Sequence, residues 1–266
     1  LWIGAERHTL LFDAGTTGTV ALHNARFAGL NWDEVEAIAL SHGHFDHTGG
    51  LPLVLETMGP RNVPIVVHDH MFAQHGARDK AGNIKPTPAS MKVTREQMTA
   101  FGARLITNRE TVDLFDGALL VMGEIPRQTE FEPAPHPQLV RREGDQWVSD
   151  PWVWDDRSLV LSVRGEGLVV ISGCAHAGIV NTVLHAQAIA GCERIRAVIG
   201  GFHLAGKRFE PRIGATVEAM RALRPGLIIP MHCTGPHGAA AFVAAMPDAA
   251  VFGGVLLRVR VGQWED

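Results

Sequence analysis

The sequence predicts an α/β protein in which two β-sheets form a sandwich flanked by helices. Three observations lead there. Short apolar and β-branched runs alternate with stretches whose apolar residues recur every three to four positions. The strand-like runs fall into two groups separated by Arg127–Asp156, which favours two sheets over one doubly wound sheet. Histidines also stand repeatedly between a strand-like run and a helical one, where loops at the carboxyl ends of strands converge on ligands.

The first group of predicted strands is His8–Phe12 (HTLLF), Val35–Leu40 (VEAIAL), Pro64–Val67 (PIVV) and Ala118–Met122 (ALLVM). The second is Leu159–Val163 (LVLSV), Leu168–Ile171 (LVVI), Ala197–Ile199 (AVI), Leu227–Ile229 (LII) and Val255–Val261 (VLLRVRV). All are short and rich in Val, Ile and Leu. Helical spacing of apolar residues predicts helices at Val20–Ala28, Leu51–Met58, Ile179–Ala190, Ile213–Leu223 and Ala239–Met246. Residues 72–94, polar and rich in Gly, Pro and Lys, and residues 128–156, with several prolines before PWVWDD, read as lid loops. No repeat or linker divides the chain, so residues 1–266 are expected to form one domain. The chain opens with Leu1 inside a strand-like run, so native N-terminal sequence is expected to precede it.

The 266 residues can bury a substantial core, and 46% hydrophobic with 20% charged is an ordinary globular balance. A formal charge of −4 gives no support for a nucleic-acid or anionic-membrane partner, and no apolar run reaches membrane-span length. Three widely spaced cysteines, Cys174, Cys192 and Cys233, cannot all pair, and a cytoplasmic location is the simplest expectation. Tyr is absent, so no phenol serves as a general acid.

The chemistry concentrates in SHGHFDHTGG, residues 41–50, directly after VEAIAL. Four proton- or metal-binding groups, His42, His44, Asp46 and His47, occupy six positions, and buried polar groups this dense need a shared partner. Neutral imidazoles with one carboxylate suit zinc, iron or manganese. His176 follows GLVVISGCA, His203 follows AVIGGF and His232 follows LIIPM, so four strand-to-helix turns each deliver a histidine. Cys174 reads as a small buried cysteine in preference to a thiolate ligand. Asp13 is read equally as a turn residue and as a carboxylate orienting a ligand histidine. His68 leans toward the site, and His8, His23, His75, His136, His185 and His237 read as ordinary.

SHGHFDHTGG resembles the signature of the metallo-β-lactamase-fold hydrolase superfamily, and LLFDAG (Leu10–Gly15) resembles its second strand and turn. GEIPR (Gly123–Arg127), ISGCAHAGIVNT (Ile171–Thr182), VIGGFHL (Val198–Leu204) and HCTG (His232–Gly235) resemble one branch. Many members of that branch carry the name dihydropterin–ribofuranosylaminobenzene-phosphate synthase. The resemblance implies an αβ/βα four-layer sandwich with a dinuclear site for two divalent ions, zinc before manganese or iron. His42, His44 and His176 would hold one ion, and Asp46, His47 and His232 the other. The superfamily's usual late-strand Asp is missing, since the corresponding turns read Gly173–Cys174 and Gly200–Gly201.

On this reading the expected enzyme is a hydrolase of phosphate esters or related small anionic molecules, using a metal-activated hydroxide. Asp46 would orient the hydroxide and accept its proton. His203 would donate a proton to the leaving group, and Arg127 with the Thr234–Gly235 helix start would hold the anionic group. The alternatives are the transferase of the branch name, which joins a pterin to a ribofuranosylaminobenzene phosphate with loss of pyrophosphate, an iron-dependent oxidoreductase, and a non-catalytic metal-dependent binder. Product analysis separates the first from hydrolysis.

Overall fold

The computed structural model describes residues 2–5, 8–87, 91 and 93–262. By compactness the chain divides into two units, Leu1–Phe115 with Ala134–Asp155, and Asp116–Pro133 with Asp156–Asp266.

The first unit opens with β1 (Trp2–Ala5) and β2 (His8–Phe12), then α1 (Gly18–Phe27), β3 (Ala37–Ala39), α2 (Phe45–Thr48), α3 (Leu51–Met58) and β4 (Pro64–Val67). It continues through β5 (His75–Arg78), β6 (Ile84–Pro86), α4 (Arg95–Ala100), β7 (Arg104–Thr107) and β8 (Val112–Leu114). One sheet has the order β1-β2-β3-β4-β7, antiparallel only at β1–β2 and parallel elsewhere. Its strands bury Ile38, Ile65 and Val67 against Leu51, Val54 and Leu55 of α3. Each such side chain contributes about 1.5–3 kcal/mol by leaving water.

The predicted strand at 35–40 is shorter than expected. Just before it Trp32–Glu34 forms a 3-10 turn, capped where the Asn31 side chain accepts from the Asp33 N–H at 3.1 Å, and the strand is confined to β3. The residues beyond it, Leu40 to Gly43, are all buried.

The two segments expected to be loops contain strands. β10 (Leu139–Glu143) and β11 (Gln146–Ser149) join β5 and β6 in a small antiparallel sheet of order β11-β10-β5-β6. The pairing of Val140 with Gly76 is set by residues 64 positions apart, which local polarity does not disclose. Gly76 is needed there, because a Cβ would lie 2.8 Å from the Ile84 side chain.

The second unit contains β9 (Leu119–Val121), β12 (Ser158–Val163), β13 (Gly167–Ser172), α5 (Ile179–Ala190), β14 (Ile195–Gly201), α6 (Ile213–Leu223), β15 (Ile228–Met231) and α7 (Gly235–Ala245). Its strands run in the order β15-β14-β13-β12-β9, with β13, β14 and β15 parallel and the rest antiparallel. Val170, Val198 and Ile228 form its core with Val183 of α5, Met220 of α6 and Phe242 of α7. The strand expected at 255–261 does not form. That segment is irregular, and Val255, Leu256 and Leu257 are exposed, so an alternating pattern there finds no sheet to join. Among the described residues no helix is long and apolar enough to cross a membrane.

Candidate metal centre

In the first unit the loop after β3 carries SHGHFDHTGG, and a chain of hydrogen bonds fixes its imidazoles. Asp13, left-handed at φ 60°, accepts from the Ser41 N–H and from the Ser41 hydroxyl, both at 2.7 Å. It also accepts from His47 Nδ1 at 2.6 Å. Burial alone would raise the Asp13 carboxyl, but the charge and hydrogen bond of His47 and the two Ser41 donors bring it below the usual carboxylate value. Asp13 is therefore an ionised acceptor.

That assignment propagates. The Ser41 hydroxyl has one proton, which Asp13 takes, so the 2.9 Å contact between Ser41 Oγ and His42 Nδ1 requires Nδ1–H to donate. His42 Nε2 then carries a lone pair, and it lies 3.0 Å from His44 Nδ1. His47 likewise donates through Nδ1, and its Nε2 lies 3.7 Å from Asp46 Oδ2, where a metal ion would replace the proton of the charged ring. Burial holds His44 below the ordinary imidazole value despite the nearby Asp155 and Asp46 carboxylates, so its ring is neutral at neutral pH. Imidazoles oriented by a carboxylate through their Nδ1–H groups, with Nε2 open to a metal once deprotonated, are the donor set a divalent metal requires. The residues fit the ion.

The local sequence makes this loop tight. A Cβ at Gly49 would stand 2.3 Å from the Thr16 carbonyl, and one at Gly50 would stand 2.2 Å from the Ala14 carbonyl. Ala14 N–H donates to the His47 carbonyl at 2.8 Å, so the Asp13 turn and the histidine loop share backbone bonds as well as side chains.

Beside His44 lies a cavity of about 30 Å³, lined in part by His75, Asp150 and Asp155. Its size suits about one water. His75 Nε2 sits 3.5 Å from Asp150 Oδ2. Burial disfavours the His75 cation, but the Asp150 hydrogen bond and the Asp155 charge outweigh it and raise the imidazole above its ordinary value. The sequence reading classed His75 as ordinary and assigned nothing to Asp150 or Asp155. PWVWDD was the available signal. His68 is fully buried, and its Nδ1 accepts from the His70 N–H at 3.1 Å.

In the second unit the other expected residues stand at strand ends. His176 is buried in the turn after β13, and Ala177 N–H, directly after it, donates to Asp156 Oδ2 at 2.9 Å. His203 follows β14, and its ring centroid is 4.2 Å from that of His176. His232 follows β15 and is exposed. Ala175, His203 and His232 all have left-handed φ, 53°, 47° and 51°, a strained state for non-glycine residues that concentrates at functional sites. Arg127 is half-buried and donates through Nη1 to the Ile125 carbonyl at 2.9 Å. Thr234 is fully buried, and its hydroxyl oxygen accepts from the Phe202 N–H at 3.0 Å. Gly235 begins α7 with φ 70°.

This fold and donor set define a metal-binding α/β enzyme class, and the chain belongs to the metallo-beta-lactamase superfamily, whose family model matches residues 1–190. A more particular likeness is to a 7,8-dihydropterin-6-methyl-4-(beta-D-ribofuranosyl)-aminobenzene-5'-phosphate synthase of Methanocaldococcus jannaschii, 34% identical over 228 residues, covering 85% of this chain and 75% of that protein. An uncharacterized protein of the same organism, MJ0448, is 28% identical over 226 residues, covering 85% of this chain and 79% of its own length. The crystal structure of Tm1679, described as a metal-dependent hydrolase of the beta-lactamase superfamily, aligns with a TM-score of 0.76 and 24% identity. It covers 98% of this chain and 94% of that one, and it shows the fold.

The comparison corrects one expectation. Phosphate-ester hydrolysis was the leading activity read from the sequence, whereas the 34% identical relative is a synthase. The signature that prompted hydrolysis reports a metal-binding loop, and a metal site serves several chemistries on one fold.

Proposed function

We propose that this protein is a synthase of the same kind as its Methanocaldococcus relative, joining a 7,8-dihydropterin to a β-D-ribofuranosylaminobenzene 5'-phosphate. The observation that carries the reading is the 34% identity sustained over 85% of the chain. In the reaction as proposed, a bond forms between the pterin 6-methylene carbon and the amino nitrogen of the second substrate. The bond from that carbon to a diphosphate leaving group breaks, and the nitrogen loses a proton. When bound, a divalent metal supplies positive charge to the departing anion.

The chain's own residues have defined parts in this proposal. His42, His44, Asp46 and His47 would hold the metal. Asp13 and Ser41 set the tautomers of His42 and His47, so that lone pairs are presented without rearrangement.

The test is to supply the purified protein with a dihydropterin-methyl diphosphate, the ribofuranosylaminobenzene 5'-phosphate and a divalent metal, then separate the products. Coupled product with one pyrophosphate released per coupling is the expected result. Pyrophosphate or phosphate released without coupled product would refute the synthase reading.

A further inference from the structure

We infer that Asp150 seats the amino nitrogen of the ribofuranosylaminobenzene substrate, its Oδ1 accepting one N–H of that amine in the cavity beside His44. The inference rests on the synthase reading and adds to it the contact that selects the nucleophile.

The small sheet of the first unit builds this cavity. β10 pairs with β5, placing Arg141 opposite His75, and with β11, placing Val140 opposite Ser149. Asp150 follows Ser149, and its N–H donates to the Leu139 carbonyl at 2.9 Å. Across β10, His75 Nε2 reaches Asp150 Oδ2 at 3.5 Å. At the end of β6 the Thr87 N–H donates to the His75 carbonyl at 3.1 Å, and Thr87 adds to the lining. Val153, which also lines the cavity, is held at φ 50°. For a β-branched residue that is a strained state, and such strain concentrates where a loop serves a site.

One acceptor in the cavity is unspent. Asp150 is 2% exposed, and its Oδ1 has no hydrogen-bond partner among the described residues. A buried acceptor left without a donor is costly, so the position calls for a group that donates. Size and the count of open oxygens select that group. About 30 Å³ admits one water-sized group and no ring. The paired N–H edge of a pterin would take both oxygens of a carboxylate, and Oδ2 already faces His75. An aromatic amine needs one oxygen and the room of one water, and Leu139 and Val153 give apolar lining to the ring edge that carries it. His44, one of the residues proposed to hold the metal, lines the same cavity, so the amine stands beside the centre where the diphosphate departs. One N–H held by a carboxylate leaves the nitrogen lone pair free, and more electron-rich, for attack on the pterin methylene carbon.

Calorimetric binding to the whole protein, supplied with a divalent metal, tests the contact. The probes are the ribofuranosylaminobenzene 5'-phosphate, its analogue with hydrogen in place of the amino group, and its N,N-dimethyl analogue. Wild type is expected to bind the amine about tenfold or more tighter than either analogue, the loss typical of one buried hydrogen bond. Asp150→Ala is expected to bind all of them alike. Equal wild-type affinity for the amine and its hydrogen analogue overturns the inference, means that the cavity takes an ordered water only, and leaves the synthase reading standing. A preference that survives Asp150→Ala overturns the assignment to Asp150. Binding of none of the probes brings down the synthase reading and this inference together. Should Asp150→Ala fail to fold, the wild-type ranking decides by itself, because the dimethyl nitrogen has no N–H to give and outgrows the space of one water.

Discussion

The Gly43 N–H donates to Asp155 Oδ2 at 2.7 Å, linking residues 112 positions apart. The bond pins the backbone between His42 and His44, and both partners are buried. A Cβ at Gly43 would stand 3.3 Å from the same carboxylate oxygen and 3.1 Å from the Met71 backbone. Asp155 thereby determines where the two imidazoles sit.

Asp155→Ala leaves a buried N–H without its acceptor, and such losses cost about 1–3 kcal/mol. Metal affinity should fall about 10–100-fold, the usual penalty for removing a group that orients a ligand loop. Asp155→Asn keeps an acceptor oxygen and should recover most of the affinity. Calorimetric metal titration of the two variants checks this, and equal affinities in both would show that the hydrogen bond does not position the loop.

Asp13 acts through tautomers. With the carboxylate replaced in Asp13→Asn, the amide nitrogen cannot accept from His47 Nδ1–H, and the demand on the Ser41 proton changes. His47 and His42 lose their enforced Nδ1–H forms, and metal affinity is expected to fall about 10–100-fold with little change in fold. Nitrogen-15 NMR of the imidazoles reads the tautomers directly. Unchanged tautomers in the variant would exclude this chain of control.

The loop SHGHFDHTGG was legible because its donors are contiguous and its glycines mark close approaches. The strand-end positions of His176, His203 and His232 were legible because each follows a short apolar run. Asp155, Asp150 and His75 were not, since their roles arise from contacts whose partners lie far away in sequence, as Gly43 does for Asp155. The same reason hid β5, β6, β10 and β11, whose polar strands acquire meaning only by pairing with each other. The reverse error occurred at Val255–Val261, where strand-like alternation exists without a neighbouring strand to pair it.

Acid stability should carry the signature of Asp69. Burial disfavours its charge, but Arg109, donating through Nε and Nη2 to both carboxylate oxygens, and the neighbouring His68 and His70 together outweigh it and lower its pKa to about 2. A depressed carboxylate stabilises the fold fully above its unfolded pKa of 3.8 and loses that contribution as pH falls through about 2. Because both side chains are substantially exposed, the contribution is at most about 1 kcal/mol. Denaturant unfolding of wild type and Asp69→Asn should differ by a constant amount well above pH 4 and converge only below about pH 2. Curves that stay parallel below pH 4 would contradict the assignment.

Gly178 and Glu132 are coupled, and the coupling is measurable. Glu132 caps α5, accepting from the Val180 and Asn181 N–H groups at 3.0 Å each and from the Thr129 hydroxyl at 2.9 Å. Gly178, at φ 94°, lets the carboxyl lie against the backbone, since a Cβ would fall 2.3 Å from it. Gly178→Ala therefore incurs a conformational cost of about 1–2 kcal/mol and a clash, with a total of about 3 kcal/mol or more. Glu132→Ala alone removes the cap and costs about 1–2 kcal/mol. In the double variant the two 2.3 Å clashes with the carboxyl disappear and only the 2.7 Å approach to the Cβ of residue 132 remains, so a reduced clash and the conformational cost stand on top of the lost cap. The two losses should therefore sum to less than additivity by about 1 kcal/mol or more in a thermal or denaturant cycle. Full additivity would mean that the introduced methyl group is accommodated without touching Glu132, and that the turn after His176 is looser than its geometry indicates.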